Sequence, residues 1–168
     1  ALLVLHIKGS HGPAYFQRYP AAFNVFKPGC DTAEVQTCTY AQAVASYDNT
    51  ILYTDHILGE VVGALKADPE VDSAMMYLSD HGESLGENDV YLHGADWDKA
   101  PSQQKHIPML LWLSPGWVRD SGVRLDCMAQ RRTQPASQDN VFHTLLGFFD
   151  TRTTVYAPEL DLLAGCRH

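Results

Sequence analysis

Basic residues are scarce in this chain. It carries 12 Lys and Arg against 20 Asp and Glu in 168 residues, which gives a formal net charge of -8. Non-specific nucleic-acid binding and docking on an anionic lipid surface both need clustered Lys and Arg, so the charge argues against both. Carboxylates that bind divalent cations would raise the acidic count, although ordinary surface acidity accounts for it equally well.

Long apolar runs are also missing. No stretch of about 18 apolar residues occurs, so nothing in the sequence is expected to span a bilayer. Residues 1–7 (ALLVLHI) have the apolar character of a signal-peptide core, but an initiator Met, a basic segment and a cleavage site are lacking. We therefore expect a buried strand here, and a chain that opens in a strand without Met indicates a piece of something longer.

Cysteine is rare and its count does not decide the compartment, because four residues are compatible with several pairings: Cys30, Cys38, Cys127 and Cys166. Cys30 and Cys38 lie in a loop-like stretch, where a disulfide would stabilise the fold by roughly 2–3 kcal/mol. Free thiols are the alternative. A disulfide would place the domain in an oxidising compartment. Zinc binding by this pair is not expected, since no second pair lies nearby.

The composition that remains is that of a single globular domain over residues 1–168, with 45% hydrophobic and 19% charged residues. Three short apolar runs predict buried strands, at residues 2–7, 74–79 and 107–113. Runs that are apolar on both faces suit a parallel sheet covered by helices. Residues 114–134 have mixed polarity and receive no assignment.

Two helices are predicted around these strands. Thr39 and Gln42 form a capping box at the start of the first, which Asp68-Pro69 ends. Its apolar stripe comprises Val44, Tyr47, Ile51, Leu58, Val61, Val62 and Leu65. The second helix begins near Ser137, with Asp139 in its first turn, and is expected to bury Val141, Phe142, Leu145, Leu146 and Phe149. The order of strands and helices predicts an α/β fold.

The dipeptide His-Gly occurs three times, at His11, His81 and His93. Each copy follows a short apolar run, and ligands of open α/β sheets bind just beyond the carboxyl ends of strands. A glycine after each histidine lets the backbone turn sharply and approach a ligand. The sequence therefore predicts a ligand site where these turns meet.

Asp80 and His81 are the strongest metal-ligand candidates. An Asp oxygen and a His nitrogen are ordinary zinc ligands, and Glu83 could serve as a further ligand or as a partner of one. Asp80 and His81 follow an apolar strand and enter a glycine-rich turn. A buried charge without a partner would destabilise the fold there. Single histidines elsewhere are expected to be structural only: His6, His56, His106 and His143.

A competing pattern overlaps this segment. Residues 82–86 (GESLG) match the G-x-S-x-G nucleophile elbow of serine hydrolases, with Ser84 as the nucleophile. That elbow needs a strand leading directly into the serine and a helix leaving it. Here the apolar strand ends near Asp80, and residues 87–94 are too short and polar for the helix. A triad with Asp139 and His143 is also awkward, so we discount the serine hydrolase.

Several segments resemble bacterial phosphoethanolamine transferases that modify lipid A, within the alkaline phosphatase and sulfatase superfamily. The long segment around Asp80-His81-Gly82-Glu83 is the most specific. The matching segments are residues 4–13 (VLHIKGSHGP), 19–20 (YP), 47–50 (YDNT), 77–87 (YLSDHGESLGE), 91–94 (YLHG), 108–112 (PMLLW), 138–140 (QDN) and 143–147 (HTLLG). Residues 151–168 carry no match.

The resemblance implies an α/β/α sandwich with a mostly parallel sheet, in the periplasmic domain of a bacterial inner-membrane protein. It implies that Asp80 and His81 ligate the catalytic zinc, while His11 and His93 line the phosphoethanolamine pocket or hold a further zinc. It also implies a disulfide between Cys30 and Cys38. The reaction would move phosphoethanolamine from phosphatidylethanolamine to a lipid A phosphate and confer polymyxin and colistin resistance. We expect a monomer.

The match leaves part of the family's site unaccounted for. The family's threonine nucleophile, its glutamate zinc ligand and its membrane region lie upstream of the matched part. No Thr of this chain has suitable surroundings: Thr32, Thr37 and Thr39 belong to the cysteine loop and the helix cap. The chain is therefore expected to be the C-terminal portion of a longer enzyme, inactive alone. A sulfatase or phosphodiesterase, or a truncated non-catalytic metal-binding domain, are the alternatives.

Overall fold

The computed structural model describes residues 1–167. The chain forms two compact units. The first contains Ala1–Ala67 and Met75–Trp112, and the second contains Asp68–Ala74 and Leu113–His168. Within the described residues, none of the helices combines the length and apolar character needed to cross a bilayer. The chain contains both helices and strands, so the α/β class is as predicted.

The first unit is organised around one long helix, α1 (Tyr40–Lys66). The predicted capping box is present: the Gln42 backbone N–H donates to the Thr39 hydroxyl, and the Thr39 N–H donates to the Gln42 side chain. The helix ends at Lys66, just before Asp68-Pro69, as predicted. Ala43 of this helix belongs to a small buried core with Tyr15, Cys30, Val35 and Leu85.

The most buried face of α1 is more polar than the sequence suggested. Its buried residues are Ala43, Ser46, Asn49, Thr50 and Thr54, whereas Ile51 of the predicted apolar stripe is 46% exposed. The face is polar because the loop packed on it presents backbone N–H and C=O groups, which need polar partners. Asn49 accepts from Val25 N and Phe26 N, and Ser46 accepts from Cys30 N.

Two pairs of strands complete this part of the chain. Strand β1 (Ala74–Leu78) pairs with β4 (Met109–Leu113), and β2 (Ser84–Glu87) pairs with β3 (Val90–Leu92). The predicted runs at 74–79 and 107–113 thus form strands. A short helix, α2 (Ser102–Lys105), precedes β4, and 3₁₀ turns lie at Tyr15–Gln17, Ala21–Phe23 and Val35–Thr37.

The parallel arrangement expected from the apolar runs does not occur in these pairs. Strands β2 and β3 form an antiparallel hairpin, because Asn88 and Asp89, with φ of 52° and 61°, reverse the chain in a tight turn. Ser79 N donates to Pro108 O and Ser114 N donates to Ser73 O, so the end of β1 meets the start of β4 and these two strands also run in opposite directions. This hairpin was not expected from the sequence.

The predicted N-terminal strand at residues 2–7 is not formed. Leu2, Leu3, Val4 and Leu5 are 59% to 79% exposed, and no strand of the described residues pairs with them. An extended segment becomes a stable strand only when a neighbour satisfies its backbone groups. The apolar pattern was therefore insufficient by itself to predict a strand.

The second unit is mainly helical. It contains α3 (Pro115–Ser121), α4 (Leu125–Arg131) and α5 (Asp139–Phe148), with 3₁₀ turns at Pro158–Leu160 and Ala164–Cys166. Helix α3 carries signals that the sequence analysis did not use: Ser114 caps it, Pro115 opens it, and Gly122 follows it with φ of 68°. A disulfide joins Cys127 to Cys166, the pairing that the sequence left open.

The burial predicted for α5 is partly wrong. Phe142 and Phe149 are about half-exposed, while Thr144 and Gly147 are the buried positions of the helix. The segment around Asp161 packs on that face: Leu162 N donates to the Thr144 hydroxyl, and a Cβ at Gly147 would collide with the Asp161 carboxylate. Small residues therefore make the close contact, and the aromatic rings lie outside it.

Candidate metal centre

The histidines of the three His-Gly turns lie together in the first unit. His11, His81 and His93 each offer a ring nitrogen, and these nitrogens all lie within 4.8 Å of one another. The rings of His81 and His93 are stacked with centroids 3.7 Å apart, and the His11 ring stands edge-on 5.0 Å from that of His93. The resemblance assigned His81 to one role and His11 and His93 to another, and the rings of all three share one cluster.

Each histidine is placed by a chain reversal. His81 comes three residues after β1, His93 follows β3 directly, and His11 lies in the loop before the first 3₁₀ turn. The turn after His81 is held by α2, because Gly82 N donates to Gln104 O at 3.0 Å. A Cβ at Gly82 would collide with the Gln103 carbonyl oxygen, so a glycine is required for this close approach.

The Nδ1 atoms of all three rings contact oxygen acceptors. His11 Nδ1 lies 2.6 Å from Gly12 O, and His81 Nδ1 lies 2.9 Å from Gly82 O. A carbonyl oxygen cannot donate, so in the neutral rings Nδ1 carries the proton and Nε2 presents a lone pair. A second function of the glycines after His11 and His81 is therefore to fix the histidine tautomer.

Asp80 borders the cluster. Its carboxylate oxygen accepts from the His81 backbone N–H at 3.1 Å and lies 3.8 Å from His81 Nε2. The Asp80 side chain is 79% exposed, against 30% for that of His81. Asp80 is therefore accessible to a ligand bound at the cluster.

A buried carboxylate, Glu83, lies on the other side of the histidines. Its side chain is 4% exposed, and one oxygen lies 3.2 Å from His93 Nδ1. The phenol of Tyr15 is buried nearby, and burial together with the Glu83 charge raises its pKa.

The donor set fits a divalent transition metal. Three imidazole nitrogens with a carboxylate beside them suit zinc, copper, iron or nickel, whereas calcium and magnesium prefer oxygen ligands. Such a metal ion would be held by the ring nitrogens of His11, His81 and His93, and the Asp80 carboxylate lies beside this group, 3.8 Å from His81 Nε2.

The serine-elbow alternative finds no support in the geometry. Ser84 is fully buried at the start of β2, and its hydroxyl accepts from the Gln104 side chain at 3.0 Å. The chain continues from Ser84 into a strand and not into a helix. His143 is engaged elsewhere, since its Nδ1 accepts from Ala157 N.

Sequence reasoning missed how Glu83 meets His93. The hairpin pairs Ser84 with Leu92, so Glu83 and His93 are the next residues outward on the two strands. The available signal was Asn88-Asp89 between two short apolar segments, since Asn and Asp tolerate the positive φ that such turns require. No sequence pattern indicated that Tyr15 and Gln104 would lie at the site.

The disulfide implied by the resemblance is present. Cys30 and Cys38 are joined, with their Cα atoms 5.8 Å apart, in the loop that leads to α1. Cys30 is also held through its backbone, which donates to the Ser46 hydroxyl. The pair lies in the small core of the first unit and not among the histidines.

Comparisons with known proteins agree on one group. The family model described as Sulfatase matches residues 1–151. Phosphoethanolamine transferase EptA of Escherichia coli K12 is 48% identical over 168 residues, and phosphatidylethanolamine transferase Mcr-1 of E. coli is 43% identical over 150 residues. These alignments cover 99% and 89% of this chain but 31% and 26% of the relatives, so the chain spans about a third or less of their length.

Solved structures show the same similarity in three dimensions. The soluble domain of lipooligosaccharide phosphoethanolamine transferase A from Neisseria meningitidis aligns with a TM-score of 0.92 at 44% identity, over 95% of this chain and 48% of that one. The C-terminal periplasmic domain of phosphoethanolamine transferase EptC from Campylobacter jejuni aligns with a TM-score of 0.87 at 45% identity, over 97% and 51%. This chain therefore has the fold of the matching half of those domains.

Proposed function

The chain belongs to the sulfatase family, and we propose that it forms the metal-binding part of a zinc-dependent phosphoethanolamine transferase acting in the periplasm. The donor would be phosphatidylethanolamine and the acceptor a phosphate group of lipid A. The observation that carries the proposal is the cluster of His11, His81 and His93, with each Nδ1 against an oxygen acceptor, in a chain 48% identical to a phosphoethanolamine transferase.

The metal ligands we propose are those that the sequence suggested. Asp80 and His81 would hold the catalytic zinc, and His11 and His93 would hold a further zinc or face the phosphoethanolamine group. The proximity of all three rings supports placing both groups of ligands in one site. Bound zinc would lower the pKa of a nucleophile and neutralise charge on the phosphoryl group that is transferred.

The other contacts of the site keep its groups in place. The glycine carbonyls after His11 and His81 hold Nδ1, so Nε2 is free to bind. Gln104 bonds to both neighbours of Glu83: its backbone oxygen accepts from Gly82 N, and its side chain donates to the Ser84 hydroxyl. The attacking hydroxyl and a further carboxylate ligand would come from outside the matched segments, as the resemblance implies.

The periplasm is proposed because of the relatives and the disulfides. Related domains are described as periplasmic or as parts of an integral membrane protein, and both cysteine pairs are oxidised here. Disulfides persist in the bacterial periplasm, whereas cytosolic thiols are kept reduced. Membrane attachment would come from other parts of the same protein, and the chain would work as a monomer.

The direct test is a transfer assay with a longer protein that contains this chain. Vesicles would carry phosphatidylethanolamine and lipid A, and mass spectrometry would detect lipid A that has gained phosphoethanolamine. We expect transfer with the parent protein and its loss in Asp80→Ala and His81→Ala. His56→Ala, an exposed histidine on α1, is the matched control and should retain activity.

Parallel assays with sulfate esters and phosphodiesters separate the alternatives. Turnover of a sulfate ester without phosphoethanolamine transfer would indicate a sulfatase. Inactivity of the longer protein on every substrate, with zinc bound, would indicate a degenerate metal-binding domain. Either result would refute the transferase proposal.

A further inference from the structure

We infer that Glu83 is a positioning residue that holds the ring of His93 and directs its Nε2 toward the histidine cluster. The inference deepens the proposed function, because a metal at the cluster would use that nitrogen. It does not place Glu83 among the metal ligands. It also predicts a property of the metal-free chain that can be measured without any activity assay.

The contact is short and secluded. Glu83 Oε1 lies 3.2 Å from His93 Nδ1, with the Glu83 side chain 4% exposed and that of His93 29% exposed. A carboxylate can only accept a hydrogen bond, so in the neutral ring the proton is on Nδ1. The lone pair of Nε2 is then available on the opposite side of the ring.

His93 needs this partner because its own glycine takes another conformation. Gly94 has a φ of +98°, whereas Gly12 and Gly82 are outside the positive-φ region. His11 and His81 use the carbonyls of their following glycines, while His93 Nδ1 contacts Glu83. Three identical dipeptides thus reach the same tautomer by two routes, and one of them depends on a distant side chain.

Two structural devices hold Glu83 itself. The hairpin pairs Ser84 with Leu92, which places Glu83 beside His93. On the other side, Gln104 accepts from Gly82 N and donates to the Ser84 hydroxyl, so both neighbours of Glu83 are anchored to α2. Gln104 and Ser84 are buried, 7% and 0% exposed, and these bonds are therefore shielded from water. A carboxylate fixed this firmly is suited to orient a ring.

The first experiment measures the tautomer of His93 in the metal-free chain by ¹⁵N–¹H correlation of the imidazole nitrogens. We expect the Nδ1–H form for His93 in the wild type and a shift toward the Nε2–H form in Glu83→Ala. His11 and His81 should keep their Nδ1–H form. Glu87→Gln, a change of the carboxylate at the far end of β2, should leave all three unchanged. An unaltered His93 tautomer in a folded Glu83→Ala protein would overturn the inference.

The second experiment distinguishes positioning from direct ligation, using zinc affinity measured by competition with a chromophoric chelator. Loss of an outer partner of a ligating histidine typically lowers metal affinity about 10–100-fold. We expect a loss in that range for Glu83→Ala and a smaller one for Glu83→Gln, which retains an acceptor oxygen. The effect should vanish when His93 is already alanine.

Each outcome of this cycle has a defined meaning. An equal loss in the His93→Ala background would show that Glu83 acts without His93 and would overturn the inference. If Glu83→Ala does not fold, Glu83→Gln in the two backgrounds gives the same comparison. If the wild type binds no zinc, the zinc dependence of the proposed function is refuted. The tautomer measurement still tests the role of Glu83.

Discussion

At the residue scale, the site depends on groups that the sequence only partly revealed. The three His-Gly turns and Asp80 were identified from strand ends and glycines, and the structure brings the three histidines together. Glu83 was recognised as a candidate without its partner, because the partner is set by hairpin register and not by spacing. Tyr15 and Gln104 were missed, since a buried phenol or amide leaves no periodic signal.

Gly82→Ala tests how closely the turn after His81 packs on α2. A Cβ there would collide with the Gln103 carbonyl, so we expect a loss of about 1–3 kcal/mol in the free energy of unfolding. Zinc affinity should fall in the same variant, because the turn also carries His81. Urea unfolding and chelator competition would measure the two effects.

Gly59→Ala is the matched control for that substitution. Nothing lies within 4 Å of a Cβ at Gly59, which is inside α1. Alanine should therefore stabilise the helix by about 0.5–1 kcal/mol and leave zinc affinity unchanged. Equal stability effects of the two substitutions would show that the packing at Gly82 has been misjudged.

At the scale of single elements, local sequence signals predicted where a helix begins and ends better than which of its faces is buried. The capping box at Thr39 and the stop at Asp68-Pro69 gave both ends of α1, because caps and prolines act through the chain's own backbone. The buried face of α1 and that of α5 were predicted less well. Burial depends on the neighbour, and here the neighbours approach through polar backbone groups and small residues.

Asn49→Ala tests the polar face of α1. The Asn49 amide oxygen accepts from Val25 N and Phe26 N, and its nitrogen donates to Phe26 O. Each buried N–H left without an acceptor costs about 1–3 kcal/mol, so we expect a loss of about 2–5 kcal/mol in unfolding free energy. Asp55→Ala, at an exposed position of the same helix, should change stability by less than about 0.5 kcal/mol.

Thermal and urea unfolding would compare these two variants with the wild type. Hydrogen exchange of the Val25 and Phe26 amides should also accelerate in Asn49→Ala. Unchanged exchange at both amides would mean that Asn49 does not hold this loop.

At the scale of the whole molecule, the family and the α/β class could be predicted from the sequence, while the two strand pairs of the described residues are antiparallel and residues 2–7 form no strand there. The apolar runs predicted strands but not their partners, and residues 2–7 lack a partner among the described residues. The partner of a strand is determined by the tertiary structure of the entire fold and not by the apolar pattern of the strand itself. The family match depended instead on a few residues in the site, above all the segment around Asp80 and His81.

The two disulfides should contribute unequally to stability. Cys127 and Cys166 are separated by 39 residues and Cys30 and Cys38 by 8. On the chain-entropy relation, the longer loop gives about 4 kcal/mol and the shorter about 2.5 kcal/mol. Urea unfolding of the two double alanine variants should therefore show a larger loss for Cys127→Ala/Cys166→Ala. A larger loss for the short loop would mean that packing around Cys30 outweighs loop entropy.

The most direct test of the metal centre is zinc binding by this chain, measured by chelator competition with Asp80, His11, His81 and His93 each replaced by alanine and with His56→Ala as the control. We predict tight binding by the wild type and the control. We predict a loss of affinity greater than about 100-fold in Asp80→Ala and His81→Ala, since losing an outer partner alone costs about 10–100-fold. A substantial loss is also predicted in His11→Ala and His93→Ala, because their ring nitrogens lie in the same cluster. Equal zinc affinity in the wild type, Asp80→Ala and His81→Ala would contradict the account.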